Sequence, residues 1–214
     1  MAANFMRLKI SILAYTLLLT VFACSINGQF RLFGPRSPKP TPQPKQMRTA
    51  SQLISRQPPL KVDQGLLQQA TPDNTHIVVS IPKQRAYLKI DDKIVADGPI
   101  SSGKSGHGTP KGHFSVMEKD PNHHSSLYGN FVDGSGRIVR GGVSARIDSA
   151  PSGTHFAGAP MKWFLRLTGE GVGMHVGILP GYPASHGCIR ESDDGAKLFY
   201  DRVKVGTPVD VGDY

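Results

Sequence analysis

The residues best suited to covalent chemistry lie near the end of the chain, in the stretch HVGILPGYPASHGCIR at residues 175–190. Cys188 is one of only two cysteines in the chain, and His175 lies thirteen residues before it. A thiolate is a strong nucleophile, and a neighbouring imidazole can accept the proton of the thiol. The pair therefore suggests a cysteine nucleophile with a histidine base. The alternative, at this stage, is that Cys188 is a small buried hydrophobic residue.

The residues between the histidine and the cysteine suit such a site. The loop LPGYPAS separates a predicted strand at His175 from the cysteine turn, and this connection can fold a base back onto a nucleophile. Gly187 permits a sharp bend and a close approach of substrate. Free backbone N–H groups at the turn can stabilise a developing oxyanion.

A metal site is the minor alternative. His175, His186 and Cys188 are all zinc-ligand types, but the chain has no further cysteine nearby and no HExxH pattern. The sequence therefore predicts neither a metal nor another cofactor. The remaining histidines of the polar loops are expected to be solvated or bonded within their loops: His107, His113, His123, His124 and His155.

The elements around the motif predict a mainly β fold. Apolar and polar residues alternate from residue 75 to residue 103, which indicates a strand, a turn and a strand. The segment 121–160 is rich in Gly, Ser, Asn and His and is expected to be a long loop with short strands. Ser192 begins the best helix pattern, SDDGAKLFYDRV. We expect a β-sandwich or partly closed barrel with one or two short helices.

The N-terminal residues 1–23 predict a signal peptide, because two basic residues precede a short apolar run. An uncleaved anchor is the alternative. Cys24 ends the stretch VFAC, which resembles the lipobox of bacterial lipoproteins, so the leader is interpreted as a lipoprotein signal with Cys24 lipidated. Ordinary cleavage nearby, without lipidation, is the competing interpretation.

Residues 24–73 are rich in Pro, Gln, Ser, Arg and Lys and predict a disordered basic linker. Most of the net charge of +9 lies there, whereas residues 71–214 carry only +1, from sixteen Lys and Arg against fifteen Asp and Glu. A nearly neutral folded region argues against a nucleic-acid-binding domain. A basic linker suits an anionic envelope surface, and the chain is therefore expected to be exported to the periplasm or cell envelope.

The catalytic stretch and its flanks resemble one known family. The residues MH, followed by PASHGCIR, resemble the motif of the L,D-transpeptidase catalytic domain, or YkuD, family. The stretch from VSIPKQRAYL to GTPKGHFSV resembles the opening of that domain, and GTPVDV resembles its closing strand. The resemblance implies a catalytic domain of the L,D-transpeptidase fold over residues 74–214.

The resemblance also implies roles. Cys188 would be the nucleophile, and His175 would be the general base and then the general acid, oriented by a backbone carbonyl. Five further residues would bind substrate or shape the oxyanion side: Ser185, His186, Gly187, Arg190 and Trp163. For Trp163 a place in the protein core is an equal alternative. Because of the insertion at 121–160, the resemblance does not identify the residues that form the walls of the cleft.

The implied reaction is acyl transfer on peptidoglycan stem peptides, which places the family in cell-wall organisation and cell shape. The cysteine would form a thioester with a stem tetrapeptide and pass it to an amine. Water as the acceptor would give an L,D-carboxypeptidase, and a protein lysine would give lipoprotein attachment. A non-catalytic peptidoglycan-binding module and a peptidase of L,L-peptide bonds are competing interpretations of the motif. The family is also a target of carbapenems.

Overall fold

The computed structural model describes residues 57–214. The expected signal sequence at residues 1–23, Cys24 and the first part of the expected linker lie outside these residues. Within them the fold is mainly β, with eleven strands and two short helices, which confirms that part of the predicted fold class. Neither helix has the length and the apolar character that crossing a membrane would need.

The strands follow one another with few helical interruptions. They are β1 (Lys61–Val62), β2 (Thr75–Ser80), β3 (Arg85–Ile90), β4 (Lys93–Ser101), β5 (Gly112–Ser115), β6 (Glu118–Val132), β7 (Ile138–Ser144), β8 (His155–Arg166), β9 (Gly173–Val176), β10 (Ile189–Glu191) and β11 (Pro208–Gly212). The helices are α1 (Gln64–Leu67) and α2 (Asp193–Arg202).

The strands form one hydrogen-bonded path in the order β5-β11-β2-β3-β4-β10-β9-β8-β6-β7, and β1 also pairs with β4. The two end strands of the path, β5 and β7, are not neighbours, so the sheet is open rather than closed into a barrel. The strands that carry the catalytic candidates, β10 and β9, lie in the middle of this path. They therefore separate two regions with different construction.

The first region, here called the core region, consists of β2, β3, β4, β11 and α2. Its strands alternate as predicted, so that Ile77, Val79 and Leu88 are completely buried. Helix α2 begins after Ser192, whose Oγ accepts a hydrogen bond from the N–H of Gly195 at 3.3 Å. Its Phe199 packs into the same apolar cluster. Burial of apolar side chains from both elements stabilises this region.

The second region, here called the hairpin region, consists of β6, β7 and β8. The expectation of a long loop at 121–160 was wrong, because β6 is 15 residues long and pairs with both β7 and β8. Regular alternation of buried and exposed residues is missing, which is why the pattern suggested a loop. Gly129 and Gly158 permit backbone contacts that a side chain would block, since a Cβ at Gly129 would lie 2.1 Å from the Ala157 carbonyl oxygen.

Residues 57–70 form a segment here called the N-terminal arm, and it differs from the expectation of a linker up to residue 73. Strand β1 pairs with β4, and the side chains of Leu60, Val62 and Leu66 pack against the core cluster. The carbonyl of Pro58 accepts a 2.5 Å hydrogen bond from Arg85. The proline-rich composition concealed these few apolar residues, which suffice to hold the arm on the sheet.

Candidate active site

Two adjacent parallel strands bring the catalytic candidates together. In the pairing of β9 with β10, His175 lies opposite Arg190, and Cys188 directly precedes β10. Because side chains alternate along a strand, residues 188 and 190 point to the same face. Cys188 and His175 are therefore diagonal neighbours on one face. Both line a cavity of about 460 Å³.

The imidazole of His175 is held as a neutral base. Its Nδ1 lies 2.7 Å from the carbonyl oxygen of Val176, which fixes Nδ1 as the donor and leaves the lone pair of Nε2 free. Burial lowers the pKa of His175 to about 4, and the positive charges of Arg190 and His123 act in the same direction. The hydrogen bond to Val176 opposes this shift. At neutral pH the ring can therefore accept a proton.

The thiol of Cys188 is half-buried and stays protonated at rest. Burial raises its pKa, while a backbone hydrogen bond from Gly173 and the charges of Arg190 and Arg166 lower it by less. The Sγ atom lies 3.7 Å from the Gly171 carbonyl oxygen. Both groups are thus neutral at rest and share one cavity, while the thiol has the Gly171 carbonyl as its hydrogen-bond partner. The proton would move to the imidazole as the sulfur attacks.

Ser185 shapes the turn that presents the cysteine. It is 1% exposed, its hydroxyl donates to the Cys188 carbonyl, and it accepts a hydrogen bond from the Gly187 N–H at 3.1 Å. Gly187 has φ of +120°, in the region that favours glycine. The family resemblance puts both residues on the substrate side. In the structure Ser185 lines the cavity, and the hydrogen bonds of Ser185 and Gly187 hold the turn that presents the cysteine.

His186 forms an aromatic wall with residues from two other segments. Its ring stacks on Tyr128 at 4.7 Å and meets His107 edge-on at 4.9 Å. Burial lowers its pKa, and Lys104, His107 and Arg190 lower it further. The ring stands between the first cavity and a second one of about 570 Å³, and it lines both.

Arg190 offers a cation to the same two cavities. Its aliphatic stem lies against Gly177, where an added Cβ would be 2.7 Å from the Arg190 Cγ. Among the described residues no carboxylate forms an ion pair with it. A guanidinium in this position can bind the carboxylate of a ligand.

Trp163, for which the cleft and the protein core were equal expectations, is not among the residues that line the two cavities. The ring lies against helix α2, 5.4 Å from the ring of Tyr200 and 4.9 Å from the Lys197 ammonium. The positive φ of Trp163, +58°, interrupts the regular alternation of β8. The neighbouring Phe164 instead stacks on His123 at 4.2 Å, close to the site.

The hairpin region supplies cavity residues that the sequence analysis did not single out. Tyr128 lies on β6, Met161 and Arg166 lie on β8, and all three line the first cavity. His123, expected to be an ordinary loop histidine, also lines it, and its Nδ1 donates a hydrogen bond to the Asp120 carboxylate at 3.1 Å. The absence of alternation in this stretch hid the strands that bring these residues to the site.

No group of three or more His, Cys, Asp or Glu side chains within residues 57–214 is arranged to hold a metal ion. The histidines His175 and His186, which made zinc the minor alternative, have hydrogen-bonding or stacking partners instead. The arrangement brings together a thiol, an imidazole and a guanidinium, which can serve as a nucleophile, a base and a cation.

Comparisons with known proteins agree with the motif. The family model of the L,D-transpeptidase catalytic domain, YkuD, matches residues 74–211. No curated protein matches the chain.

Solved structures give weaker similarities. An L,D-transpeptidase from Mycobacterium smegmatis is 26% identical with a TM-score of 0.49, over 65% of this chain and 58% of that chain. Mycobacterium tuberculosis L,D-transpeptidase 1 is 25% identical with a TM-score of 0.45, over 64% and 60%. An L,D-transpeptidase from Xylanimonas cellulosilytica is 22% identical with a TM-score of 0.48, over 65% and 60%. The chain thus spans about three fifths of these proteins.

Proposed function

The chain belongs to the L,D-transpeptidase catalytic domain family, and from this premise we propose that it is a peptidoglycan L,D-transpeptidase. Cys188 forms a thioester with a stem tetrapeptide and passes the acyl group to an amine of a second stem, which cross-links the cell wall. The observation that carries the proposal is the neutral pair of Cys188 and His175 on one face of adjacent strands, in one cavity.

The first half-reaction forms the thioester. As the Cys188 sulfur bonds to the carbonyl carbon of the third stem residue, the thiol proton moves to Nε2 of His175. The tetrahedral intermediate then collapses, and the bond to the terminal D-alanine breaks. The imidazolium gives its proton to the leaving amine. The hydrogen bond from Nδ1 to Val176 stabilises the imidazolium while it exists.

The second half-reaction returns the enzyme to its starting state. The acceptor amine attacks the thioester carbonyl, His175 takes a proton from the amine, and the departing thiolate of Cys188 is reprotonated. The second cavity meets the first at His186 and Arg190 and gives a second peptide room to reach the thioester. A peptide acceptor would therefore have space beside the thioester, which is compatible with transfer to an amine.

We further propose that Arg190 binds a carboxylate of the stem peptide, since a guanidinium recognises carboxylates through two parallel hydrogen bonds. His186 and Tyr128 would form the wall along which the peptide lies. Ser185 and Gly187 would keep the cysteine turn in place rather than contact the substrate.

The place of action is a separate proposal. The leader at residues 1–23 and the basic segment after it suggest export to the periplasm or cell envelope, with Cys24 as a lipid anchor. Intact-mass analysis of the protein purified from the envelope tests this. A mature chain that begins at a diacylated or triacylated Cys24 is expected, and a chain that begins after Cys24 contradicts lipidation.

Mass spectrometry of the purified protein incubated with a disaccharide-tetrapeptide tests the reaction. We expect an adduct on Cys188 that equals the muropeptide minus D-alanine, followed by a cross-linked dimer. Accumulation of the tripeptide alone would identify an L,D-carboxypeptidase. A lack of adduct and of products would indicate a binding module, and cleavage of casein would indicate an ordinary peptidase.

The matched variant is Cys188→Ala. It removes one sulfur atom and is expected to abolish the adduct and turnover while the melting temperature changes little. A carbapenem should add its mass to the wild-type protein at Cys188 and leave the variant unmodified. Full activity in the variant, or an adduct on another residue, contradicts the assignment.

A further inference from the structure

A buried glutamine far from the thiol is connected to the cysteine turn by hydrogen bonds. Gln84 lies in the turn between β2 and β3 and is 7% exposed. It also has φ of +52°, a left-handed conformation that is uncommon for residues other than glycine. Such conformations persist only where the surroundings enforce them, and they concentrate at functional sites. The conformation therefore calls for a reason.

The side chain of Gln84 holds residue 102 from two directions. Its Nε2 donates to the Ser102 hydroxyl at 2.7 Å, and its Oε1 accepts from the Ser102 N–H at 2.9 Å. Nε2 also donates to the Ile81 carbonyl at 2.6 Å. Ser102 is 1% exposed, so no solvent replaces these bonds. The amide thus fixes both the backbone and the side chain of residue 102.

Ser102 in turn holds the start of the cysteine turn. Its carbonyl oxygen accepts hydrogen bonds from two successive N–H groups, those of Ala184 and Ser185, each at 3.0 Å. Ser185 then bonds through its hydroxyl to the carbonyl of Cys188 and to the N–H of Gly187. A continuous buried chain of contacts therefore runs from Gln84 to the residue that bears the thiol.

We propose that Gln84 is a positioning residue for the nucleophile, acting through Ser102 and Ser185 on the turn that carries Cys188. It touches neither the thiol nor the cavity. Its effect is to keep the turn in the one arrangement that places the sulfur beside His175. The consequence for reactivity depends on the proposed thioester chemistry, but the effect on the turn does not.

The test compares Gln84→Met with a matched control, Ser80→Ala. Methionine keeps the length of the side chain and removes its hydrogen bonds. Ser80 is completely buried, donates a 2.6 Å hydrogen bond to the Tyr214 carbonyl, and accepts one at 3.4 Å from the Lys83 N–H within the β2–β3 turn. The control therefore removes a support of the same turn but leaves the Gln84–Ser102 contact in place. Both variants lose buried hydrogen bonds and are expected to lower the melting temperature.

The two measurements are amide exchange and acylation. In Gln84→Met we expect exchange of the Ala184 and Ser185 amides to rise about tenfold or more, and the carbapenem acylation rate to fall about tenfold, with little change in KM for the muropeptide. In Ser80→Ala both should stay within about twofold of the wild type. Equal effects in the two variants, or unchanged acylation in Gln84→Met, would overturn the proposal.

Two further variants, Ser102→Ala and the double variant, and the result for the wild-type protein keep the proposal testable. If Gln84→Met does not fold, Ser102→Ala removes only the hydroxyl and should show the same loss of acylation to a smaller degree. The double variant of Gln84→Met and Ser102→Ala should lose no more than the worse single variant, because both act in one network. If the wild-type protein itself is not acylated, the proposed function fails, while the exchange result still decides whether Gln84 holds the turn.

Discussion

The core region and the hairpin region lie on opposite sides of β9 and β10 and differ in how far their apolar side chains are covered. In the core region the side chains of Ile77 and Leu88 are completely buried. The hairpin region also has a completely buried side chain, Phe164 on β8, but Ile138 and Val139 are 58% and 49% exposed on the end strand β7. Packing therefore covers the inner strands of both regions and leaves the outer strand of the hairpin region exposed.

The two regions support different parts of the site: one holds the backbone next to the thiol, and the other supplies much of the cavity wall. Strand β10, which follows Cys188, pairs with β4 of the core region, and β9, which carries His175, pairs with β8 of the hairpin region. The backbone that follows the thiol is therefore held by the core region. The hairpin region contributes Tyr128, Met161 and Arg166 to the cavity wall. Changes in the hairpin region should alter which substrate binds before they alter whether the thiol reacts.

The largest effect is expected on β9, between the two regions, at His175. His175→Ala should lower the rate of acylation by about 10²–10⁴-fold, because positioned proton transfer contributes that much. The change in the unfolding free energy of the protein should be small by comparison with the free energy that corresponds to the loss of rate. Stopped-flow carbapenem acylation measures the effect. A loss below about tenfold would mean that another group serves as the base.

The pH profile sharpens the same point. Burial lowers the pKa of His175 to about 4, so the neutral base is present at all pH values above this and is lost as the pH falls through it. The acylation rate should therefore fall only below about pH 5, and not near the ordinary histidine value. The observed midpoint belongs to the coupled pair. A midpoint near pH 6.5 would contradict a buried neutral His175.

The next effect contrasts the two regions directly. Leu88→Ala, in the core region, should lower the unfolding free energy by about 2–5 kcal/mol, since it empties a completely buried site. Ile138→Ala, in the hairpin region, should change it by less than about 0.5 kcal/mol. Urea denaturation measures both. Similar losses in the two variants would show that the Ile138 side chain is packed rather than exposed to solvent.

An effect of similar size, which depends on pH, is expected at Glu191 on β10, between the two regions. The residue is 2% exposed, and its Oε2 has no hydrogen-bond partner within residues 57–214. Burial raises its pKa to about 8, so the folded protein holds a proton that the unfolded chain releases above about pH 4.5. The wild-type protein should therefore lose stability as the pH rises from about 4.5 to 8.

Glu191→Met should remove this loss. The difference in unfolding free energy between the variant and the wild type should shift in favour of the variant by a few kcal/mol between pH 4.5 and pH 8.5, at roughly 1.4 kcal/mol per pKa unit. Urea denaturation at the two pH values measures it. A difference that does not change with pH would show that Glu191 is solvated or paired in the folded protein.

The smallest effect is expected for the ion pair of the hairpin region. Arg140 lies 2.5 Å from Asp148, but its side chain is half exposed. Arg140→Ala should lower the unfolding free energy by at most about 1 kcal/mol, and less at high salt. Thermal melts at low and high salt measure this. A larger loss that salt does not reduce would mean that the ion pair is needed for the stability of β7.

The sequence was most informative where burial and periodicity coincide. The alternation around Ile77 and Leu88 predicted the core strands, and Ser192 with the apolar Phe199 predicted helix α2. The cysteine motif identified two residues, Cys188 and His175, that the structure brings into one cavity. Local pattern sufficed there because each feature is set by neighbouring residues.

The rest depends on contacts between distant residues. The strands of the hairpin region are set by pairing across the sheet, with close backbone contacts at Gly129 and Gly158, and no local periodicity reports such pairing. The position of Trp163 depends on one positive φ. The role of Gln84 depends on hydrogen bonds to a residue eighteen positions away. None of these could be read from residue types alone.

The way the N-terminal arm enters the sheet has a mechanical consequence. At the first described residue of the arm, the Nε2 of Gln57 donates hydrogen bonds to the carbonyls of Ile100 and Gln84 at 2.8 and 3.2 Å. A pulling force that reaches Gln57 therefore acts on Gln84 itself and on Ile100, two residues before Ser102. If the protein is anchored through its N-terminal segment, as proposed, tension on that segment would act on the hydrogen bonds that hold the turn of the proposed nucleophile.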